Sequence, residues 1–295
     1  MASKDENLFL QLSTAGLSCA CSQTTVHWTE TTMVRQQLAK KADVGNLYSM
    51  TARIAREEGF RALYRGYSAA MVREMTYSSI RFGLYDPIKT LMGATDPKTT
   101  PFWKKVAAGL SAGAFAASLM SPTDLLKIRM QKQTGEFKSM AYHARQIISE
   151  PPGGLRNLYH GVFTTITRAA VLGATKMATY DQCKYELKRE DGYFGWKEEG
   201  LGRYKVQFAA SIATGLAVTC TTSPVTNART HIMSAPPGTF RSTFHCWGDI
   251  IRTQGPFGLY RGFGSQWARF GPYAIVQFLV WEQLRQAAGM TSIGS

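Results

Sequence analysis

Three short patterns recur in the same order at intervals of about a hundred residues, and this repetition constrains the chain more than any other feature. The first runs Ser121-Pro122-Thr123-Asp124-Leu125-Leu126-Lys127-Ile128-Arg129. It returns as Ser223-Pro224-Val225-Thr226-Asn227-Ala228-Arg229 and, more loosely, as Trp28-Thr29-Glu30-Thr31-Thr32-Met33-Val34-Arg35. The second is bounded by glycines: Gly59 to Tyr64-Arg65-Gly66, Gly154 to Tyr159-His160-Gly161, and Gly255 to Tyr260-Arg261-Gly262. The third is Tyr85-Asp86-Pro87-Ile88-Lys89, Tyr180-Asp181-Gln182-Cys183-Lys184 and Trp281-Glu282-Gln283-Leu284-Arg285. A fixed period of this kind means that one supersecondary unit has been copied, which divides the chain into repeats at 1–98, 99–199 and 200–295.

Within each repeat the charge pattern predicts a hairpin of two long helices. Three stretches carry no Asp, Glu, Lys or Arg: Asn7 to Thr29, Val106 to Thr123 and Val206 to Ala228. Each is near the length that a bilayer core demands. Residues 66–93, 161–189 and 262–288 alternate with them, their apolar stretches interrupted by single basic residues. Polar segments of helical character, such as Leu47 to Glu57 and Thr243 to Arg252, lie between the two. Mean hydropathy is only −0.17, which excludes a simple bundle of fully apolar spans. An ionisable side chain at membrane depth is tolerated where it faces a bundle interior or a wet cavity, so the interrupted segments are the informative ones.

The net charge of +14 suits an anionic partner. No zinc-finger spacing and no stripe of Lys and Arg interleaved with aromatics points to nucleic acid. The five cysteines lack the count and spacing of a disulfide framework and read as free thiols. His27, His143, His160, His231 and His245 show no metal spacing. No nucleophile elbow or phosphate-cradling glycine loop appears, so the sequence predicts neither an enzyme nor a bound cofactor or metal.

The three ordered motifs in three copies resemble the mitochondrial carrier family across essentially the whole chain. The resemblance implies an all-α membrane protein of the inner mitochondrial membrane, multi-pass, with six tilted transmembrane helices in three pseudosymmetric repeats and short amphipathic helices on the matrix side. Parallel repeats about an axis along the membrane normal are a known transporter plan.

An acid and a base three apart on a helix pair locally, at about a few tenths of a kcal/mol. Asp86/Lys89, Asp181/Lys184 and Glu282/Arg285 fit that description singly, but three such pairs at one place in each repeat suggest a ring. By resemblance the ring is a cytoplasmic gate linking Asp86 with Lys184, Asp181 with Arg285, and Glu282 with Lys89. By the same resemblance a matrix gate links Glu30 with Lys127 and Asp124 with Arg229. Its third link would join the positions of Thr226 and Met33, both uncharged here, so neither leaves an orphaned charge. Gln37 and Gln131 resemble the family's braces beneath these bridges, whereas Met233 stands at the third such place. A matrix gate with two bridges, weaker than the family's usual three, is the expectation.

Arg73, Arg168 and Arg269 each lie thirteen residues before an acid of the cytoplasmic ring. At 1.5 Å per residue that is about 20 Å, or mid-membrane. They begin stripes of residues four apart: Arg73, Tyr77, Arg81; Arg168, Leu172, Lys176; and Arg269, Tyr273, Gln277. A single arginine near a span end reads equally well as one that snorkels to the headgroups. Three symmetric ones, with Arg81 and Lys176 a further two turns on, favour an interior site for a small anion, because guanidinium forks match carboxylate oxygens. Within the family the triad resembles the dicarboxylate, oxoglutarate and uncoupling branch. That resemblance implies a small anionic substrate such as a dicarboxylate, oxoglutarate or phosphate. It also implies cardiolipin contacts at Gly59, Arg65, Gly66, Gly154, Gly161, Gly255, Arg261 and Gly262. Two rival readings stand beside exchange: an uncoupling-type proton leak, and, from the altered Trp28, Met33, Thr226 and Met233, a structural subunit within a larger inner-membrane complex.

Overall fold

The computed structural model describes residues 2–39, 45–91, 111, 113–188 and 201–287, and every regular element among them is helical. The first repeat contains α1 (Ala2–Leu38), α2 (Leu47–Glu58) and α3 (Tyr67–Leu91). The second contains helical residues 113–119 leading into α4 (Ser121–Lys132), then α5 (Met140–Ser149) and α6 (Val162–Lys188). The third contains α7 (Leu201–Ser234), α8 (Thr243–Gln254) and α9 (Phe263–Ala287). A 3₁₀ turn precedes the second long helix of each repeat, at Phe60–Tyr64, Leu155–Tyr159 and Pro256–Tyr260.

The short helices are amphipathic at helical spacing. α2 buries Met50 and Ile54, α5 buries His143 and Ile147, and α8 buries Cys246 and Ile250, each pair four apart on one face. Ser139 and Ser242 cap α5 and α8, their hydroxyls accepting from the amides of Tyr142 at 3.3 Å and His245 at 3.1 Å. Trp28, where the other repeats have Pro122 and Pro224, packs against the α2 cluster, and α1 runs unbroken past it.

The first long helices of the three repeats, α1, α4 and α7, touch one another pairwise at one end of the bundle. A core of Val34, Leu125, Leu126, Ile147 and Met233 fills part of that junction. Each repeat is then locked to the next through the glycine of its Tyr-x-Gly motif. Gly66, Gly161 and Gly262 all have positive φ, at 77°, 84° and 77°. A Cβ at Gly66 would sit 3.0 Å from the Lys127 carbonyl oxygen of α4. At Gly161 it would sit 2.9 Å from Met233 Cγ of α7, and at Gly262 3.0 Å from Met33 Cγ of α1. These glycines are the places where one repeat's turn presses on the next repeat's long helix, a close approach that only a residue without Cβ allows.

The distribution of polarity is inverted relative to a soluble protein. Buried positions include Ser18, Ser22, Gln23, Thr31, Thr222 and Ser223. Large apolar side chains such as Leu17, Val72, Phe115, Phe163, Ile212 and Trp267 face outward. The six spans that the sequence leads us to expect are not shown by hydropathy: among the described residues no helix is long and apolar enough to cross a membrane.

Gly66→Ala is expected to destabilise the folded protein more than Gly59→Ala. Both positions have positive φ, but a Cβ at Gly59 meets nothing within 4 Å. Left-handed strain alone costs about 1–2 kcal/mol, so thermal unfolding in detergent should show that loss at Gly59 and a larger one at Gly66.

Candidate functional site: a charged layer inside the bundle

Where α1, α4 and α7 converge, two carboxylates are withdrawn from solvent and each is shared by two cations. Glu30 of α1, 5% exposed, forms ion pairs with Lys127 of α4 and with Arg269 of α9, and accepts a 2.6 Å hydrogen bond from Gln23 Nε2. Asp124 of α4, 4% exposed, lies 2.6 Å from Arg229 Nη2 of α7 and 2.8 Å from Arg73 Nε of α3. Arg73 also pairs with its neighbour Glu74 and stands 5.2 Å from the centre of the Tyr77 ring, within reach of a cation–π contact. The third position of the layer holds no acid. Arg168 Nε of α6 donates instead to Thr226 Oγ1 of α7 at 3.2 Å, and Arg229 Nε donates to Thr165 Oγ1 at 3.0 Å.

The structure thus brings Glu30 to Lys127 and Asp124 to Arg229, sets Thr226 against Arg168, and packs Met33 against Gly262. What sequence reasoning missed is that the three central arginines reach the same layer. Arg73 meets Asp124, Arg168 meets Thr226 and Arg269 meets Glu30, so each arginine addresses the acid position on the next repeat's long helix. No spacing along the chain signals this, since it depends on how far α3, α6 and α9 are rotated about their own axes.

Gln37 and Gln131 are both buried, and Gln131 Nε2 donates to Thr31 Oγ1 at 3.4 Å, tying α4 to α1. Tyr273 and Gln277 both contact Cys19 of α1, the latter with Nε2 at 3.3 Å from Sγ. The side chains of Arg81 and Lys176 lie outside the described residues, as do those of Asp86, Lys89, Asp181, Lys184, Glu282 and Arg285, although their backbones are helical.

A second threefold layer lies one to two turns further along and was not read from the sequence. Arg35 Nε donates to the Gln131 carbonyl at 3.1 Å, Arg129 Nε to the Met233 carbonyl at 2.7 Å, and His231 Nε2 lies 3.0 Å from the Gln37 carbonyl oxygen. Each base therefore satisfies last-turn carbonyls of the next long helix, which have no partner within their own helix. Arg35 also pairs with Glu58 and Arg129 with Glu150, while the third repeat offers His231 and Gln254 at these places. The available signal was the arginine two residues past the bridge base in Lys127-Ile128-Arg129.

Arg65 requires a correction. Resemblance assigned it to a lipid headgroup, but it is 4% exposed, pairs with Glu58 at 2.9 Å and donates to the carbonyls of Gln133 and Gly135. Its positive charge is spent on the protein interior. Arg261 similarly donates to the Ala39 carbonyl at 2.6 Å but is less deeply buried. Burial would raise the Glu58 carboxyl, yet the Arg35 and Arg65 guanidiniums outweigh it and hold the group below its ordinary value of 4.5.

Three interlocked helical repeats enclosing a layer of shared ion pairs and arginines match the plan of repeat-built transporters. The sequence profile of the mitochondrial carrier proteins matches three times, at residues 4–95, 98–191 and 203–291, and the chain belongs to that family, whose members are transporters. Relatives include the mitochondrial substrate carrier family protein ucpB of Dictyostelium discoideum, 35% identical over 84% of each chain. Mitochondrial uncoupling protein 5 of Arabidopsis thaliana is 32% identical over 80% of this chain and 76% of its own. The protein named "Probable mitochondrial 2-oxoglutarate/malate carrier protein" of Dictyostelium discoideum is 32% identical over 91% of this chain and 86% of its own.

Because Glu30 serves two cations, Glu30→Gln should destabilise the protein more than Lys127→Gln does. The first strands two buried charges at a cost of about 3–5 kcal/mol, while the second leaves Glu30 its partner Arg269. Thermal unfolding of the two variants in detergent checks the order. Glu58→Gln tests the second layer through pH. A depressed folded pKa stabilises fully above the unfolded value near 4.5 and is lost as pH falls through the lower folded one. The stability gap between wild type and variant should therefore be constant at neutral pH and close in that acid window.

Proposed function

We propose that the chain spans the inner mitochondrial membrane as six tilted helices and exchanges small carboxylate anions, dicarboxylates or oxoglutarate foremost, by alternating access. One observation carries this reading: Arg73, Arg168 and Arg269 converge inside the bundle on the layer of Glu30, Asp124 and Thr226 instead of reaching outward. The outward-facing apolar residues support the membrane setting, and the oxoglutarate/malate relative supports the substrate class.

In this mechanism the pairs Glu30–Lys127 and Asp124–Arg229 close one end of the path. A substrate anion drawn into the layer competes with Glu30 and Asp124 for the attraction of its arginines, and so weakens the contacts that tie α9 and α3 to the closed layer. Substrate binding then offsets part of the cost of opening, which is how a ligand shifts a two-state equilibrium. Phosphate is a further candidate anion, since the same guanidinium forks accept it. Anionic lipid, cardiolipin in particular, is the proposed partner of the turns near Gly59, Gly154 and Gly255, with the Arg65 side chain excluded from that role. Relatives named as uncoupling proteins favour proton leak as a second reading.

Liposomes holding the purified protein should exchange labelled malate, oxoglutarate or phosphate, and Arg269→Gln should slow that exchange about tenfold or more, the loss of one charge-assisted contact. A pH-sensitive dye inside the vesicles separates the readings. Folded protein that conducts protons and exchanges none of the three anions would replace exchange by leak.

A further inference from the structure

The three arginines occupy equivalent positions, but their electrostatic surroundings are unequal. Arg73 lies between Asp124 and Glu74, and Arg269 is paired with Glu30. Arg168 has a hydroxyl, Thr226 Oγ1, where the other two have a carboxylate. Its Nε is used, and among the described residues no acid lies within ion-pair distance of its terminal nitrogens. The charges that act on it are the guanidiniums of Arg229, Arg269 and Arg73 and the single carboxylate of Asp124, which Arg229 and Arg73 already share. A half-buried guanidinium among like charges, whose terminal nitrogens meet no acid among the described residues, is the place in the layer where an incoming carboxylate gains most and displaces least.

We infer that the anion is held asymmetrically, by Arg168 at the junction of the second and third repeats, and that Thr226 is the residue that leaves this guanidinium open to a carboxylate. The Thr226 hydroxyl, which accepts from Arg168 Nε, keeps its own proton to donate to a bound oxygen. An acid at position 226 would place a carboxylate on this guanidinium from within the protein, as Asp124 does at Arg73 Nε and Glu30 at Arg269 Nη1. This inference rests on the anion-transport reading above, and it assigns unequal roles to three residues that the sequence makes equivalent.

The test is a charge placed at one atom position. Thr226→Asp should raise the half-saturating malate concentration for exchange in liposomes, and for thermal stabilisation in detergent, by about tenfold or more, because an internal carboxylate now competes for the fork. Thr226→Asn, of similar shape but neutral, should stay within about threefold of wild type, the scale of one neutral hydrogen bond. If Thr226→Asp binds malate as wild type does, or if the Asn variant loses as much as the Asp variant, the asymmetric site is wrong while exchange itself stands. If wild type responds to none of malate, oxoglutarate and phosphate in either assay, the transport reading fails and this inference with it. Should the Asp variant not fold, Arg168→Gln compared with Arg73→Gln decides the same question. The inference requires the larger loss of malate stabilisation at Arg168, and an equal or smaller loss overturns it.

Discussion

Two buried carboxylates, each clasped by cations from two other helices, are the constraint from which the rest of the bundle follows. A buried acid is tolerable only when it is paired, and Glu30 and Asp124 are paired twice over. Through Glu30 the first repeat holds Lys127 of the second and Arg269 of the third. Through Asp124 the second holds Arg229 of the third and Arg73 of the first. The long helices cannot separate without exposing these charges or finding them another anion, which makes the layer a structural clasp.

The rest of the junction repeats that logic with neutral groups. Arg35, Arg129 and His231 reach the terminal carbonyls of the next long helix, and Gly66, Gly161 and Gly262 bring each turn into contact with it. Every repeat is therefore incomplete by itself, with its last carbonyls satisfied by a neighbour. The departures from symmetry are coordinated. Thr226 and Met33 remove both ends of one ion pair, and His231 with Gln254 stand where the other repeats carry an arginine and a glutamate. Both changes avoid a stranded charge, and both fall on the contacts of the third repeat, so one sector of the ring is held by hydroxyls, packing and a histidine rather than by ion pairs.

Much of this was legible from the sequence because symmetry does part of the work of a structure. Once Glu30, Asp124 and Thr226 are recognised as equivalent, the pairing that the family resemblance implies gives Lys127 and Arg229 as partners by the same rule in each copy. Local patterns were less faithful. Tyr64-Arg65-Gly66 reads as a surface turn with a cation for lipid, yet tertiary packing carries Arg65 inward onto Glu58 and the Gln133 and Gly135 carbonyls. Hydropathy was weaker still, since helices that turn serines, threonines and glutamines inward average out to an ordinary composition.

The sequence by itself determined the threefold plan, the alternation of long and short helices, and the absence of an acid and a base at Thr226 and Met33, because these are properties of period and residue type. Only the tertiary structure decided which side chain each central arginine faces. Stripes four residues apart drift around a helix, and nothing along the chain fixes the angle at which α3, α6 and α9 lean on their neighbours. That angle leaves Arg73 and Arg269 on carboxylates and Arg168 on a hydroxyl.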